Sequence, residues 1–203
     1  MRRLLFCIPA LLAVQFSLAQ IEFAAGLSAG ALTSQVHGDG YEGYYRMAPT
    51  GGAFVTMGFS EKIGTKLEFL FTPKGSRNKP NTEAGDFNTF KLGLNYITIP
   101  VSIQYKLRPE FHLEGGLYYG ILISQKQEFN GIETPVTPPY NDGDLGGQIG
   151  ATYYMSDKLA LHIRQDLSLT PMRSAPDGAP PGVGWDGGGY NRALYFMFIY
   201  QLN

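Results

Sequence analysis

One cysteine, Cys7, occurs in 203 residues, and it stands close to the N-terminus, so the rest of the chain can build no disulfide framework, thiolate metal site or thiol nucleophile. Charge is scarce as well. Only 16 % of residues are charged, and 16 Lys and Arg face 17 Asp and Glu for a net of −1, which argues against any nucleic-acid partner held through its phosphates. Beyond the first 19 residues no run of 18 apolar residues appears, so no transmembrane helix is encoded there. What abounds instead is 26 Gly, 13 Tyr and 13 Phe, residues that turns and strands favour. Disorder and a helical bundle both fit this composition poorly.

The N-terminus carries a basic head, Met1-Arg2-Arg3, an apolar stretch from Leu4 to Val14, and a small-x-small pattern, Ser17-Leu18-Ala19, before Gln20. That is the layout of an export signal over residues 1–19, cleaved near Ala19/Gln20 to leave a domain of 20–203. The apolar stretch falls short of the ~20 residues a spanning helix requires. Cleavage removes Cys7, Arg2 and Arg3 and leaves 14 basic against 17 acidic residues, a net of −3. Phe6 sits before Cys7, where a lipidated cysteine expects a small residue.

The remaining chain is patterned with period two. From Phe111 to Ile123 the odd positions form an apolar row broken by Gly115, while His112, Glu114, Gly116 and Gly120 fall on the other face. Likewise Leu159, Leu161, Ile163, Leu167 and Leu169 oppose His162, Arg164, Asp166 and Ser168. Six further stretches, 21–32, 50–60, 64–74, 92–107, 144–155 and 191–202, alternate with more noise, which predicts eight strands. Connections near residues 60–63, 108–110 and 156–158 are tight, whereas 33–49, 75–91, 126–143 and 171–190 are long and rich in Gly, Pro, Asn and Asp. Short and long loops at opposite ends predict an all-β fold, an eight-stranded antiparallel up-and-down transmembrane β-barrel of the bacterial outer membrane, with both termini periplasmic.

A soluble lipid carrier alternates too, with its apolar face inside. Against it stand the export signal and an aromatic girdle on the greasy face beside the tight turns, at Phe59, Tyr105, Phe111, Tyr153 and Tyr200. The polar face also balances: Lys66, Lys74, Lys106 and Arg164 against Glu22, Glu68, Glu114 and Asp166, with His112 and His162 beside them. A narrow lumen that encloses charge must pair it, so these residues are expected to form a lumen charge network. Two residues strain the pattern. Pro100 cannot donate a ladder bond and predicts a bulge or bend, and Gln165 falls on the lipid row, facing another protein or marking a register error.

The segment Tyr96-Ile97-Thr98-Ile99-Pro100-Val101-Ser102-Ile103-Gln104-Tyr105-Lys106, with the Gly-rich stretch Ala24-Ala25-Gly26-Leu27-Ser28-Ala29-Gly30, resembles the PorT-like outer-membrane β-barrel domain family over essentially all of 20–203. The resemblance implies a small eight-stranded Gram-negative outer-membrane barrel, most of whose relatives have no assigned activity and whose founder is linked to the type IX secretion route. It carries no functional motif to map residue by residue. The C-terminal alternation Leu194, Phe196, Phe198, Tyr200, Leu202 resembles the signal read by the barrel-assembly machinery, although the chain ends in Asn203.

Candidate sites are few. His162, Arg164 and Asp166 with His112 and Glu114 could serve a hydrolase, but successive residues on one strand face stand ~6–7 Å apart, too far for a direct relay, and lumen ion pairs account for them. Ser168 lies six positions from His162, the wrong spacing for a nucleophile–base pair. Asn141-Asp142-Gly143-Asp144 begins like a calcium loop without its closing Glu and reads as a turn. Tyr41, Tyr44, Tyr45, Trp185 and Tyr190 sit among glycines in long loops, where they either bind a glycan or protein or anchor the interface. The expected function is structural, binding or secretion-accessory, without catalysis or cofactor. Expected partners are outer-membrane lipid and lipopolysaccharide, the assembly machinery during insertion, and secretion-system proteins. A lipid-modifying enzyme, a narrow channel and a periplasmic carrier remain as alternatives.

Overall fold

The structure, a computed structural model, describes residues 22–202 apart from 39, 42, 81, 86 and 174–188. Trp185 and the segment 1–19 lie outside the described residues. The strands are β1 (Glu22–His37), β2 (Arg46–Gly58), β3 (Ile63–Arg77), β4 (Phe90–Arg108), β5 (Phe111–Phe129), β6 (Ile132–Thr134), β7 (Gly143–Tyr154), β8 (Leu159–Ser168) and β9 (Tyr190–Gln201). All pair antiparallel in the order β4-β3-β2-β1-β9-β8-β7-β5, and β4 also pairs with β5, so eight strands close on themselves. β6 only extends the β5 edge at Gln127–Phe129. Closure matters because a spanning sheet with a free edge would leave backbone N–H and C=O groups unpaired in hydrocarbon.

Side-chain direction settles which face is greasy. Lys66, Glu68, Arg164 and Asp166 point inward and are at most 1 % exposed, while Phe69, Ile103, Leu117, Ile163 and Phe198 point outward and are exposed. A carrier barrel would have the reverse. Tyr105, Tyr153 and Tyr200 ring the end that holds the tight turns and both strand termini, with Phe59 exposed on the adjoining β2–β3 turn and Phe111 paired to Tyr153.

The strands run further than the alternation predicts. β1 reaches His37, β3 reaches Arg77, and β4 and β5 are each 19 residues long, so the β1–β2 and β3–β4 connections shrink to 38–45 and 78–89. A tilted strand crosses the lipid in ~9–11 residues. Beyond that belt the outer face has no need to be apolar, so the pattern ends while the hydrogen-bond ladder continues. β7, β8 and β9 are 12, 10 and 12 residues long, which leaves the β3–β4–β5 side as a raised wall outside the membrane.

Pro100 produces no bulge. Its pairing with β3 lapses between Val101 and Thr98 and resumes in the same register, and Pro100 itself faces the lumen opposite Tyr118 on β5. A missing donor removes a bond without adding a residue, so nothing has to shift. The bulge lies higher: Asn95 pairs with Ser124 and Tyr96 with Leu122, leaving Ile123 extra. That extra residue turns Gln125 toward the inside, where its Oε1 accepts from the Tyr140 backbone N–H at 3.0 Å.

The barrel is tight enough that some positions admit no side chain. A Cβ on Gly52 would lie 1.8 Å from the Phe69 carbonyl oxygen on the neighbouring strand. Gly52→Ala is therefore expected to lower unfolding free energy by about 1–3 kcal/mol through overpacking, read by urea titration of the refolded barrel in lipid vesicles.

Candidate functional site

β3 and β8 stand four strands apart in a ring of eight, so side chains from them meet across the full diameter. At this size the interior is filled by side chains. Arg164 Nη1 on β8 donates to Glu68 Oε2 on β3 at 2.7 Å, while its Nε lies 3.0 Å from Asp166 Oδ1. Below the arginine, Lys66 Nζ is 3.5 Å from Glu68 and 2.6 Å from Glu114 on β5. Above it, Lys74 Nζ is 3.6 Å from Asp166 and 3.4 Å from Asp144 on β7. The result is one chain of alternating charge, Glu114–Lys66–Glu68–Arg164–Asp166–Lys74–Asp144, every member buried.

Neutral groups complete it. Asp144 accepts from Tyr118 OH at 3.2 Å, Ser168 Oγ at 2.6 Å and Asn191 Nδ2 at 2.9 Å, which disperses the one carboxylate in excess of the three cations. Lys74 Nζ lies 4.0 Å from the Tyr118 ring centre, and the Arg164 guanidinium 4.4 Å from that of Tyr195. His162 contacts Glu114 Oε1 through Nε2 at 3.4 Å and Thr152 through Nδ1 at 2.9 Å.

Of the expected lumen residues, Lys66, Glu68, Glu114, His162, Arg164 and Asp166 come together. Glu22 and Lys106 do not: both line the open cavity of about 760 Å³ at the tight-turn end, and Glu22 is exposed. Their strands begin or end there, so correct parity delivers them to the mouth rather than the core. His112 is buried at the floor of the same cavity, its ring 4.7 Å from that of Tyr154. Sequence reasoning missed Asp144. It shares the inward parity of Gln148 and Thr152 on β7, a signal obscured by reading Asn141–Asp144 as a loop motif.

The outer end is closed by an apolar cap. Val36, Leu92, Leu94 and Tyr96 on the inner face pack with Tyr140 and Met172, which enter from the loops after β6 and β8. The two loops are joined by Asn141 N–H to the Met172 carbonyl at 2.6 Å, and Met172 N–H donates within its own connection to the Gly189 carbonyl at 2.7 Å. Among the described residues the lumen thus opens toward the tight turns, and the charges of its middle are paired in sign.

The loop aromatics divide. Tyr41 stacks on Phe90 at 4.6 Å, and Tyr190 is buried at the start of β9. Tyr44 and Tyr45 are exposed. Gln165 does face outward, and it is not a register error. Its Nε2 donates to the Asp166 carbonyl at 2.9 Å and lies 3.5 Å from Tyr44 OH.

Removing Arg164 leaves four buried carboxylates, Glu68, Glu114, Asp144 and Asp166, to share two lysines. Arg164→Met is expected to cost about 3–5 kcal/mol of folding stability, and adding Glu68→Gln to recover part of it, in urea titrations of the refolded protein.

Comparisons with known proteins agree with this geometry. The chain is similar in structure to Ail, the attachment invasion locus protein of Yersinia pestis, in complex with the heparin analogue sucrose octasulfate: 13 % identity, 89 % of this chain and 99 % of that one covered, TM-score 0.52. Against Ail in a second crystal structure the identity is 12 % over the same coverage, with a TM-score of 0.50. Neisserial surface protein A matches at 10 % identity over 88 % of this chain and 96 % of its own, with a TM-score of 0.42. At such identities the likeness to Ail is one of fold. No curated protein matches the chain. Residues 14–174 match the model of the outer membrane protein beta-barrel domain, so the chain belongs to that family of bacterial outer-membrane barrels.

Proposed function

We propose that this barrel is a non-conducting, non-catalytic surface component whose work is done by the protein outside the membrane, in a secretion-accessory role of the kind the PorT-like resemblance implies. The observation that carries the reading is the contrast between the two ends of the lumen. Seven buried charged residues and an apolar cap fill the path outward, while β4 and β5 rise past the lipid belt to carry exposed Phe129 and Ile132 at the tip of the β5–β6 hairpin. Large apolar side chains held above a membrane by a paired sheet suit contact with another protein.

Two other readings fit less well. A narrow channel would need the chain from Glu114 to Asp144 to part and the cap to lift. A lipid-modifying enzyme would need an accessible nucleophile beside a base, but Ser168 donates to Asp144, and His162 is buried against Glu114 and Thr152. Ail is described with a heparin analogue. Binding of a polysulfated sugar needs a cluster of free cations, whereas on this wall Lys91 is 3.1 Å from Glu128 and Lys126 is 3.8 Å from Glu133.

The test compares surface-attached and secreted proteins between a strain lacking this chain and its parent, with outer-membrane integrity checked. The reading expects loss of a defined cargo set, and the same loss when Phe129→Ser and Ile132→Ser are combined in a barrel of normal abundance. An unchanged profile in the deletion strain contradicts it. In planar bilayers the purified barrel is expected to give no conductance steps, and His162→Ala is expected to leave the membrane lipid profile unchanged.

A further inference from the structure

The raised wall ends in a clasp of three asparagines. Asn78, one residue past β3, gives its N–H to the Phe90 carbonyl at 3.1 Å and accepts from Phe90 N–H through Oδ1 at 2.6 Å, while its Nδ2 donates to the Asn88 carbonyl at 2.7 Å. Asn130, at the tip of the β5–β6 hairpin, joins the same group. Its N–H donates to the Thr89 carbonyl at 2.8 Å, its Oδ1 accepts from Thr89 N–H at 2.8 Å, and its Nδ2 donates to Asn88 Oδ1 at 3.2 Å. Amide groups thus tie the outer ends of β3, β4 and β5 together.

Phe129 pairs with Ile132, so the hairpin turns on two residues, Asn130 and Gly131, with φ of 51° and 78°. Such a turn requires positive φ at both positions, which Asn-Gly adopts at least cost. The same pair is chemically labile. Gly131 has no side chain to shield its backbone nitrogen, and both residues are exposed to water. Asn130 is also the one asparagine among eight that precedes a glycine.

We propose that Asn130 is a site of spontaneous deamidation, which the clasp slows and which undoes the clasp once it has occurred. The Gly131 nitrogen gives its proton to water and attacks Asn130 Cγ. A new C–N bond closes a five-membered imide, the Cγ–Nδ2 bond breaks, and Nδ2 takes a proton from water and leaves as ammonia. Water then opens either imide carbonyl, giving aspartate or isoaspartate; nothing is oxidised or reduced. Attack requires the side-chain amide to turn onto the Gly131 nitrogen, whereas Oδ1 and Nδ2 are both engaged with Thr89 and Asn88. The products cannot restore those bonds. Aspartate sets an acceptor against Asn88 Oδ1 where Nδ2 had donated, and isoaspartate lengthens the backbone of a turn that only two residues close. Either adds a negative charge beside Glu128 and Glu133, which Lys91 and Lys126 already balance. The hairpin carrying Phe129 and Ile132 then comes away from the β3–β4 connection. The site needs only the folded barrel, so it stands apart from the secretion-accessory reading.

The test incubates the full barrel at mildly alkaline pH, folded in lipid vesicles or unfolded in guanidinium, and measures aspartate and isoaspartate at the asparagines by peptide mass spectrometry. Position 130 is expected to convert ahead of Asn78, Asn88, Asn95 and Asn141 and to yield both isomers. Conversion is expected to be about tenfold slower in the folded barrel than in the unfolded chain, as two hydrogen bonds would impose, and N88A to recover about threefold of that. N130D, checked for the heat-dependent gel shift of a folded barrel, is expected to speed hydrogen exchange across 126–134 and to leave β7 and β8 unchanged. Any of five results overturns the proposal: another asparagine converting first in the folded barrel, equal rates folded and unfolded, aspartate without isoaspartate, a folded N88A that converts at the parent's rate, or a folded N130D whose hairpin exchanges like the parent's.

Discussion

The contact between Arg164 and Glu68 spans the barrel from β8 to β3 at 2.7 Å, and the interior is organised around it. An eight-stranded cylinder must be filled, and the outside is already committed to lipid, so the filling falls to the inward row. An isolated ion there would cost several kcal/mol. The arginine links the pair below, Lys66 and Glu114, to the group above, Lys74 with Asp166 and Asp144, so that each charge has a partner of opposite sign. Small residues make this possible: a Cβ on Gly146 would lie 2.3 Å from the Tyr118 ring that covers Lys74.

Filling the middle frees the two ends to differ. At the tight-turn end the charged ladder stops, and an open cavity remains between Gln104, Lys106, His112 and Tyr154. At the other end the inward row turns apolar at Leu92, Leu94 and Val36, and the long loops close over it through Tyr140 and Met172. The bulge at Ile123 belongs to this closure, because it points Gln125 at the backbone of the loop that must be held in. Strand length then sets what lies outside: β4 and β5 continue as a wall, whereas β8 stops at Ser168.

Much of this was legible in the sequence wherever lipid dictated the pattern. The rows from Phe111 to Ile123 and from Leu159 to Leu167 are read directly as strands with one face in hydrocarbon and place Glu114, Arg164 and Asp166 inward, as the noisier 64–74 stretch does Lys66 and Glu68. Parity says nothing of height, which is why Glu22 and Lys106 fell at the mouth. Above the lipid belt the outer face no longer needs apolar residues, so the outer ends of β1, β3 and β5, at 33–37, 75–77 and 126–129, read as loops. Leu92 and Leu94 break the inner row's polarity and were the available sign of the cap. The contact of Tyr44 with Gln165 joins residues far apart in the chain through a glycine-dependent bend, and no local pattern announces it.

The central claim is a barrel that is greasy outside and sealed within. Single nitroxide labels on β4 test it most directly, because Ile97, Val101 and Ile103 face outward and Thr98 and Ser102 face the lumen. Each site is converted to cysteine, labelled in the unfolded chain and folded into bilayers, and the spectra are recorded with oxygen and with a water-soluble nickel chelate. The account predicts that oxygen broadens the outward labels while the chelate does not, and that neither reagent reaches positions 98 and 102. Chelate broadening at 98 and 102 would mean a water-filled pore, and oxygen broadening there with chelate access at 97, 101 and 103 would mean an inverted barrel; either result contradicts it.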